Sequence, residues 1–92
     1  MTDQASLSAV IHGMVQGVGF RWAVLQRAEE LGLTGYVSNR PDGTVEVVAE
    51  GGPAELDELE KFLHSGPRWA EVAKVEVERG TASGRFSRFV TK

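Results

Sequence analysis

The sequence predicts an α+β fold in which two helices pack on one face of an antiparallel sheet. Apolar and polar residues alternate in several segments, apolar residues recur at helical spacing in two others, and the segments follow one another in the order βαββαβ. Two right-handed βαβ units joined by a hairpin place the first and third strands side by side at the sheet centre. A short extra strand is expected after them, which completes a ferredoxin-like sandwich.

The first half of the chain carries one strand pattern and one helix pattern. Alternation over residues 7–12 predicts a central strand with one buried face, whereas the polar residues 1–6 are expected to fray. Helical spacing over residues 20–31 predicts an amphipathic helix, and Gly32 is expected to end it in a left-handed conformation.

The later segments give the same two signals. They predict, in order, a hairpin with strands over 36–40 and 44–50, a helix from Pro53 to the Gly66-Pro67 stop, a strand over 73–78, a loop over 79–84 and a terminal strand over 86–90. Trp69 is expected to cover the end of the second helix. Phe86 and Phe89 are expected to close the open end of the core.

Length and composition limit the functions that this chain can have. Its 92 residues suffice for one domain over 1–92, and its net charge of -3 disfavours a nucleic-acid-binding role. It has no cysteine, and its two histidines, His12 and His64, lie far apart, so neither a metal site nor a cofactor is expected. Because no apolar run approaches about 18 residues and no signal peptide is evident, we expect a cytoplasmic monomer without membrane contact.

The segment 13–21, Gly-Met-Val-Gln-Gly-Val-Gly-Phe-Arg, joins the first strand to the first helix. Glycines at such a turn let main-chain N–H groups turn inward together and bind an anion. Two nucleotide motifs do not fit, because Gly19 is followed by Phe20-Arg21 rather than Lys-Ser/Thr, and Trp22 replaces the third small residue of a dinucleotide fingerprint. A plain glycine turn with a surface arginine is the alternative.

Arg21 occupies an unfavourable position, since a cation in the first turn opposes the helix dipole by up to about 1 kcal/mol. A bound anion would reverse this effect, because a guanidinium can hold two phosphate oxygens at once. The position of Arg21 therefore favours a phosphate site at this turn.

Three segments, in the same order, resemble the acylphosphatase family. They are Gly13-x-Val15-Gln16-Gly17-Val18-Gly19-Phe20-Arg21, then Gly35-Tyr36-Val37-Ser38-Asn39 followed by Asp42-Gly43-Thr44-Val45-Glu46, and the weaker Gly66-Pro67-x-Trp69-Ala70-x-Val72. Tyr36 and Ser38 depart from the family pattern, in which tryptophan and a basic residue are more frequent at these positions.

The resemblance implies an enzyme that hydrolyses the carboxyl-phosphate anhydride of small acyl phosphates without a metal. Arg21 and Asn39 would be catalytic, the first by holding the phosphoryl group and the second by orienting water. The substrate-binding main-chain amides would be those of Val15, Gln16, Gly17, Val18, Gly19 and Phe20.

Several alternatives remain open at this point. His12 precedes the loop and is interpreted as a strand histidine rather than a general base, and Asn39 alone would be typical of turn chemistry. A regulatory module that binds phosphate or carbamoyl phosphate without turnover would keep the same loop. A single-stranded RNA-binding domain can have this fold, but residues 7–14 and 44–50 lack the aromatic residues that it needs.

Overall fold

The computed structural model describes residues 3–17 and 19–92. Their elements, in chain order, are β1 (Ala5–Met14), α1 (Phe20–Glu30), β2 (Thr34–Asn39), β3 (Val45–Gly51), α2 (Pro53–Ser65), β4 (Glu71–Thr81) and β5 (Phe89–Thr91). The order βαββαβ with an extra strand confirms the predicted fold class. In the described part of the chain, no helix is long and apolar enough to cross a membrane.

The five strands form one sheet in the order β4-β1-β3-β2-β5. The first and third strands are neighbours, as predicted, and Leu7 lies opposite Ala49 in their antiparallel register. The terminal strand β5 pairs with β2 in parallel, with Gly35 opposite Phe89. The sheet is therefore mixed, although its other four strands are antiparallel.

One hydrophobic core lies between the sheet and the helices. Alternate residues of the central strands supply one side of it, and the buried stripes of α1 and α2 supply the other. The central members are Leu7, Ala9, Ile11, Val45 and Val47 from the sheet, and Phe20, Val24, Leu56, Leu59 and Leu63 from the helices. In the described part of the chain, the opposite face of the sheet carries no helix, and the polar residues of the strands lie there.

Strand boundaries differ from the predicted ones at both ends of the chain. β1 already begins at Ala5, inside the segment that was expected to fray, because Ala5 pairs with both Gly51 and Thr81; residues 1 and 2 lie outside the described part. β4 continues to Thr81, so the first three residues of the loop predicted over 79–84 are in the strand. Arg79 is held there by Asp57 and Glu60 of α2, whose carboxylates lie 3.1 and 3.0 Å from its guanidinium.

The terminal strand is shorter than predicted and begins at Phe89. Phe89 is buried in the core, but Phe86 precedes the strand and packs edge-on against Tyr36 with ring centroids 6.0 Å apart. Phe86 therefore does not close the core. Trp69 lies between α2 and β4 and keeps 58% of its surface exposed, so it does not form a closed lid.

Candidate active site

The loop between β1 and α1 bends at two glycines with left-handed backbone conformation. Gly17 has φ +75°, and Gly19, the N-cap of α1, has φ +80° and ψ 15°. Residues with a Cβ rarely adopt these angles. Gly19 has no side chain with which to cap the helix, and no side-chain cap is seen there among the described residues. The N–H groups of the first turn, which have no intrahelical partners, are therefore available to an anion or to water.

Gln16 fastens this loop to the β2–β3 hairpin. Its side-chain Nε2 donates hydrogen bonds of 2.8 Å to the carbonyl oxygens of Arg40 and Thr44. Sequence reasoning assigned Gln16 to the substrate-binding set without detecting this anchor. Because both donors of the amide are used, the donor that Gln16 can offer to an anion is its main-chain N–H.

The loop, the start of α1 and the ends of two strands enclose a cleft of about 280 Å³. The cleft brings together six of the predicted site residues: Val15, Gly17, Gly19, Phe20, Arg21 and Asn39. Trp22, Leu25 and Thr91 also line it, although sequence analysis did not assign them to the site. Leu25 lies one helical turn after Arg21 and could have been inferred from that spacing, whereas nothing in the sequence pointed to Thr91. Val18 lies outside the described residues.

The side chains of Val15 and Phe20 belong to the core, since each is only 1% exposed. Any contact that these two residues make with a ligand must come from the main chain. Arg21 is the only ionisable side chain among the described residues that line the cleft. The cleft is consequently a small, electropositive site.

The guanidinium of Arg21 is held by the far end of the chain. Its Nη1 donates a 3.1 Å hydrogen bond to the main-chain oxygen of Lys92, which follows β5. Lys92 is in turn held by a 2.8 Å hydrogen bond from its N–H to the carbonyl of Val37 in β2. Among the described residues, no aspartate or glutamate side chain forms an ion pair with Arg21.

Asn39 ends β2 and shares the core-side face of that strand with Val37. The hairpin turn is closed by other groups, because Asp42 Oδ1 accepts hydrogen bonds from the hydroxyl and the N–H of Thr44 at 2.6 and 3.0 Å. These hydrogen bonds lower the pKa of the Asp42 carboxyl. Within the described residues, the Asn39 amide makes no hydrogen bond. Among the described residues, the side-chain hydrogen bonds within this turn therefore come from Asp42 and Thr44.

His12 lies on the face of the sheet that carries no helix. Its Nε2 is 2.9 Å from Glu76 Oε1 on β4, and this hydrogen bond lowers the pKa of the Glu76 carboxyl. His12 does not line the cleft. In the part of the chain that the structure describes, no group of three or more histidine, aspartate and glutamate side chains is arranged to hold a metal ion.

Comparison with known proteins gives one consistent result. A family model described as acylphosphatase matches residues 7–91. A protein named acylphosphatase from Mycolicibacterium smegmatis is 56% identical over 79% of this chain and 74% of its own length. Another from Acaryochloris marina is 47% identical over 97% of this chain and 95% of its own length. The crystal structure of acylphosphatase from Bacillus subtilis has a TM-score of 0.91 at 32% identity, over 96% of this chain and 98% of that one. The chain belongs to the acylphosphatase family.

Proposed function

We propose that this chain hydrolyses small acyl phosphates to a carboxylate and inorganic phosphate, with Arg21 and Asn39 as its catalytic residues. The observation that carries the proposal is the shared cleft, which is lined by a guanidinium, an amide and the glycine turn. Family membership supports the reaction, and the chemistry of the cleft supports the roles of the residues.

Arg21 and the main-chain amides at the start of α1 would bind the phosphoryl oxygens. A guanidinium and inward N–H groups stabilise the negative charge on these oxygens, and they do so most where charge redistributes in the transition state. The hydrogen bond from Arg21 to the Lys92 carbonyl leaves its other N–H groups for the substrate. Positioned positive charge thus supplies here what a metal ion supplies in many phosphoryl-transfer enzymes.

Asn39 would orient the attacking water. Its amide offers one acceptor and two donors, and it needs no ionisation to hold water in line with phosphorus. The water oxygen forms a bond to phosphorus while the bond from phosphorus to the carboxyl oxygen breaks. The carboxylate leaves with that electron pair, and the proton of the water passes to a phosphate oxygen. A carboxylate is a good leaving group, so the scheme assigns no general acid.

The finer parts of the proposal are that the substrate is a free small molecule and that the chain acts as a cytoplasmic monomer without a nucleic-acid partner. The acidic net charge supports the lack of a nucleic-acid partner, and the small size of the cleft supports a small substrate. Multi-angle light scattering of the purified chain tests the monomer: a mass near 10.0 kDa is expected, and a mass of twice that would contradict it.

The first test replaces Arg21 with lysine and follows hydrolysis of acetyl phosphate. Lysine keeps the charge but loses the bidentate geometry, so we expect activity to fall by about 10³-fold, as for other phosphoryl clamps. Arg79→Lys is the matched control, because Arg79 forms its ion pairs on α2 and lies outside the cleft. Near-normal turnover by the Arg21 variant would refute its assigned role.

The second test replaces Asn39 with alanine and separates catalysis from binding. We expect a lower kcat and an unchanged inhibition constant for inorganic phosphate, because Asn39 is assigned to water and not to the phosphoryl group. Ser38→Ala is the control, since Ser38 is its neighbour on β2 but points to the other face of the sheet. Weaker phosphate inhibition in Asn39→Ala would make Asn39 a ligand instead. Binding of phosphate without turnover by the unaltered chain would favour the regulatory module.

A further inference from the structure

Two exposed indole rings lie beside the cleft and have no role in the proposed chemistry. Trp22 follows Arg21 on α1, and Trp69 lies in the connection between α2 and β4. Each ring keeps 58% of its surface exposed. Large apolar side chains at this exposure, grouped on one surface, are typical of a binding site.

The two rings border a groove of about 260 Å³ between α1 and the end of α2. Its apolar lining comes from Trp22, Ala23, Phe62, Pro67 and Trp69. We call this surface the indole groove. Its α1 residues follow helical spacing along one face of that helix, so the groove runs parallel to α1 and away from the glycine turn.

The indole groove is continuous with the phosphoryl cleft. Trp22 lines both of them. At a second point, a Cβ built onto Gly19 would lie 3.6 Å from Trp69 Nε1, so the second indole reaches the wall of the cleft. A molecule whose phosphoryl group occupies the cleft can therefore extend directly into the groove.

The far end of the groove carries a balanced set of ion pairs. The guanidinium of Arg27 lies 3.2 Å from Glu30 and 3.7 Å from Glu58, and Lys61 Nζ lies 3.3 Å from Glu58, so two cations face two carboxylates. The groove thus combines flat apolar walls with an end whose charges are already paired.

We infer that the indole groove binds the acyl part of the substrate and makes the enzyme selective for aromatic acyl phosphates. This inference rests on the proposed function, because it extends from the phosphoryl group held in the cleft. Trp22 and Trp69 act as specificity-determining residues. An aromatic acyl group buries ring surface against the two indoles, whereas an acetyl group is too short to reach beyond the cleft.

The experiment compares kcat/KM for benzoyl phosphate and acetyl phosphate in the unaltered chain and in Trp22→Ala and Trp69→Ala. Each substitution should reduce kcat/KM for benzoyl phosphate by about 5- to 20-fold, the range expected for loss of one aromatic stack. In Trp69→Ala, the value for acetyl phosphate should change by less than about twofold, because Trp69 lines only the groove. Trp22 also lines the cleft, so Trp22→Ala is judged by the ratio of the two kcat/KM values, which should fall. Trp22→Phe and Trp69→Phe keep a ring and should recover most of the preference.

Met14→Ala is the matched control, because its side chain is 68% exposed and lines neither surface. Equal losses for both substrates in the alanine variants would overturn the inference, and so would an unchanged ratio. A chain that hydrolyses neither substrate before mutation would instead refute the proposed function. Thermal unfolding identifies any variant whose fold is damaged, and the inhibition constant of inorganic phosphate identifies any variant whose cleft is damaged. If an alanine variant is damaged, the corresponding phenylalanine variant decides the outcome.

Discussion

Gly17 offers a direct test of whether the main chain of the loop binds the phosphoryl group. Gly17 has φ +75°, and a Cβ built onto it meets no atom of the described residues within 4 Å, its chain neighbours aside. Replacement by alanine therefore adds backbone strain without adding a clash. Gly32 at the end of α1 provides a rare matched control, since it has φ +71° and equally open surroundings.

The size of the strain follows from the left-handed conformation. It raises the energy of an L-residue by about 1–2 kcal/mol, and the smaller entropy of the unfolded alanine chain offsets about 0.4–1 kcal/mol of this. Each variant should therefore lose about 1 kcal/mol of unfolding free energy. If the strained loop of Gly17→Ala relaxes instead, phosphate must restore the left-handed conformation when it binds. The strain of about 1–2 kcal/mol is then subtracted from the binding free energy, which corresponds to about 5- to 30-fold weaker phosphate binding.

The assay is competitive inhibition of acyl phosphate hydrolysis by inorganic phosphate, with urea unfolding measured in parallel. We expect Gly17→Ala to weaken inhibition by at least about fivefold, because its main chain borders the cleft. Gly32→Ala should leave the inhibition constant unchanged, because hydrogen bonds near it, such as that from Leu33 N–H to Ala28 O at 2.9 Å, fix its conformation outside the cleft. Identical inhibition constants in the two variants, with no loss of unfolding free energy in Gly17→Ala to show that the strained conformation is kept, would refute main-chain binding by this loop.

Two further substitutions test the surroundings of the site. Gln16→Leu removes both side-chain donors to the hairpin, while the Arg40 and Thr44 carbonyls keep their main-chain donors, the N–H groups of Gly43 and Arg40. About 0.5–1.5 kcal/mol of stability and part of the turnover should therefore be lost in urea unfolding and acetyl phosphate assays; full activity would show that the anchor does not shape the cleft. Glu50 is 7% exposed, and burial raises the pKa of its carboxyl, but hydrogen bonds from Ser83 and the Gly84 N–H outweigh burial and lower it. The ionised Glu50 carboxylate therefore stabilises the fold fully above its pKa in the unfolded chain, about 4.3. This stabilisation is lost as the pH falls through the lower pKa of Glu50 in the folded protein. Glu50→Gln should unfold with about 1–3 kcal/mol less free energy at neutral pH, with the difference shrinking in acid; an equal difference at pH 3 and pH 7 would contradict this linkage.

Periodicity and glycine spacing were sufficient to predict the order of the elements and the loop that borders the cleft. They failed to predict how far β4 extends, because Arg79 departs from its alternation of apolar and polar residues. Arg79 interrupts the alternation of β4, yet it stays in the strand because α2 supplies two carboxylates at the matching position. Such a pairing depends on the packed structure and leaves no local signal in the sequence.

The details of the site were less predictable than its position. The sequence showed an amide at Gln16 but not the two carbonyls that occupy it. Trp69 was expected to cover a helix end, whereas it borders a groove next to Gly19. These features arise because residues distant along the chain become neighbours in space, and no spacing rule describes that.

The hydrogen bond between Arg21 and Lys92 joins positions 71 residues apart. A nascent or partly folded chain in which the last strand has not yet docked would lack this support for the guanidinium, so recovery of catalysis should be one of the last events in refolding. Conversely, a tetrahedral anion that occupies the finished site would shift the folding equilibrium toward the complete sheet, by about 2.7 kcal/mol at a concentration of 100 times its Kd. Binding of an anion at the site and docking of the last strand at the edge of the sheet therefore stabilise each other.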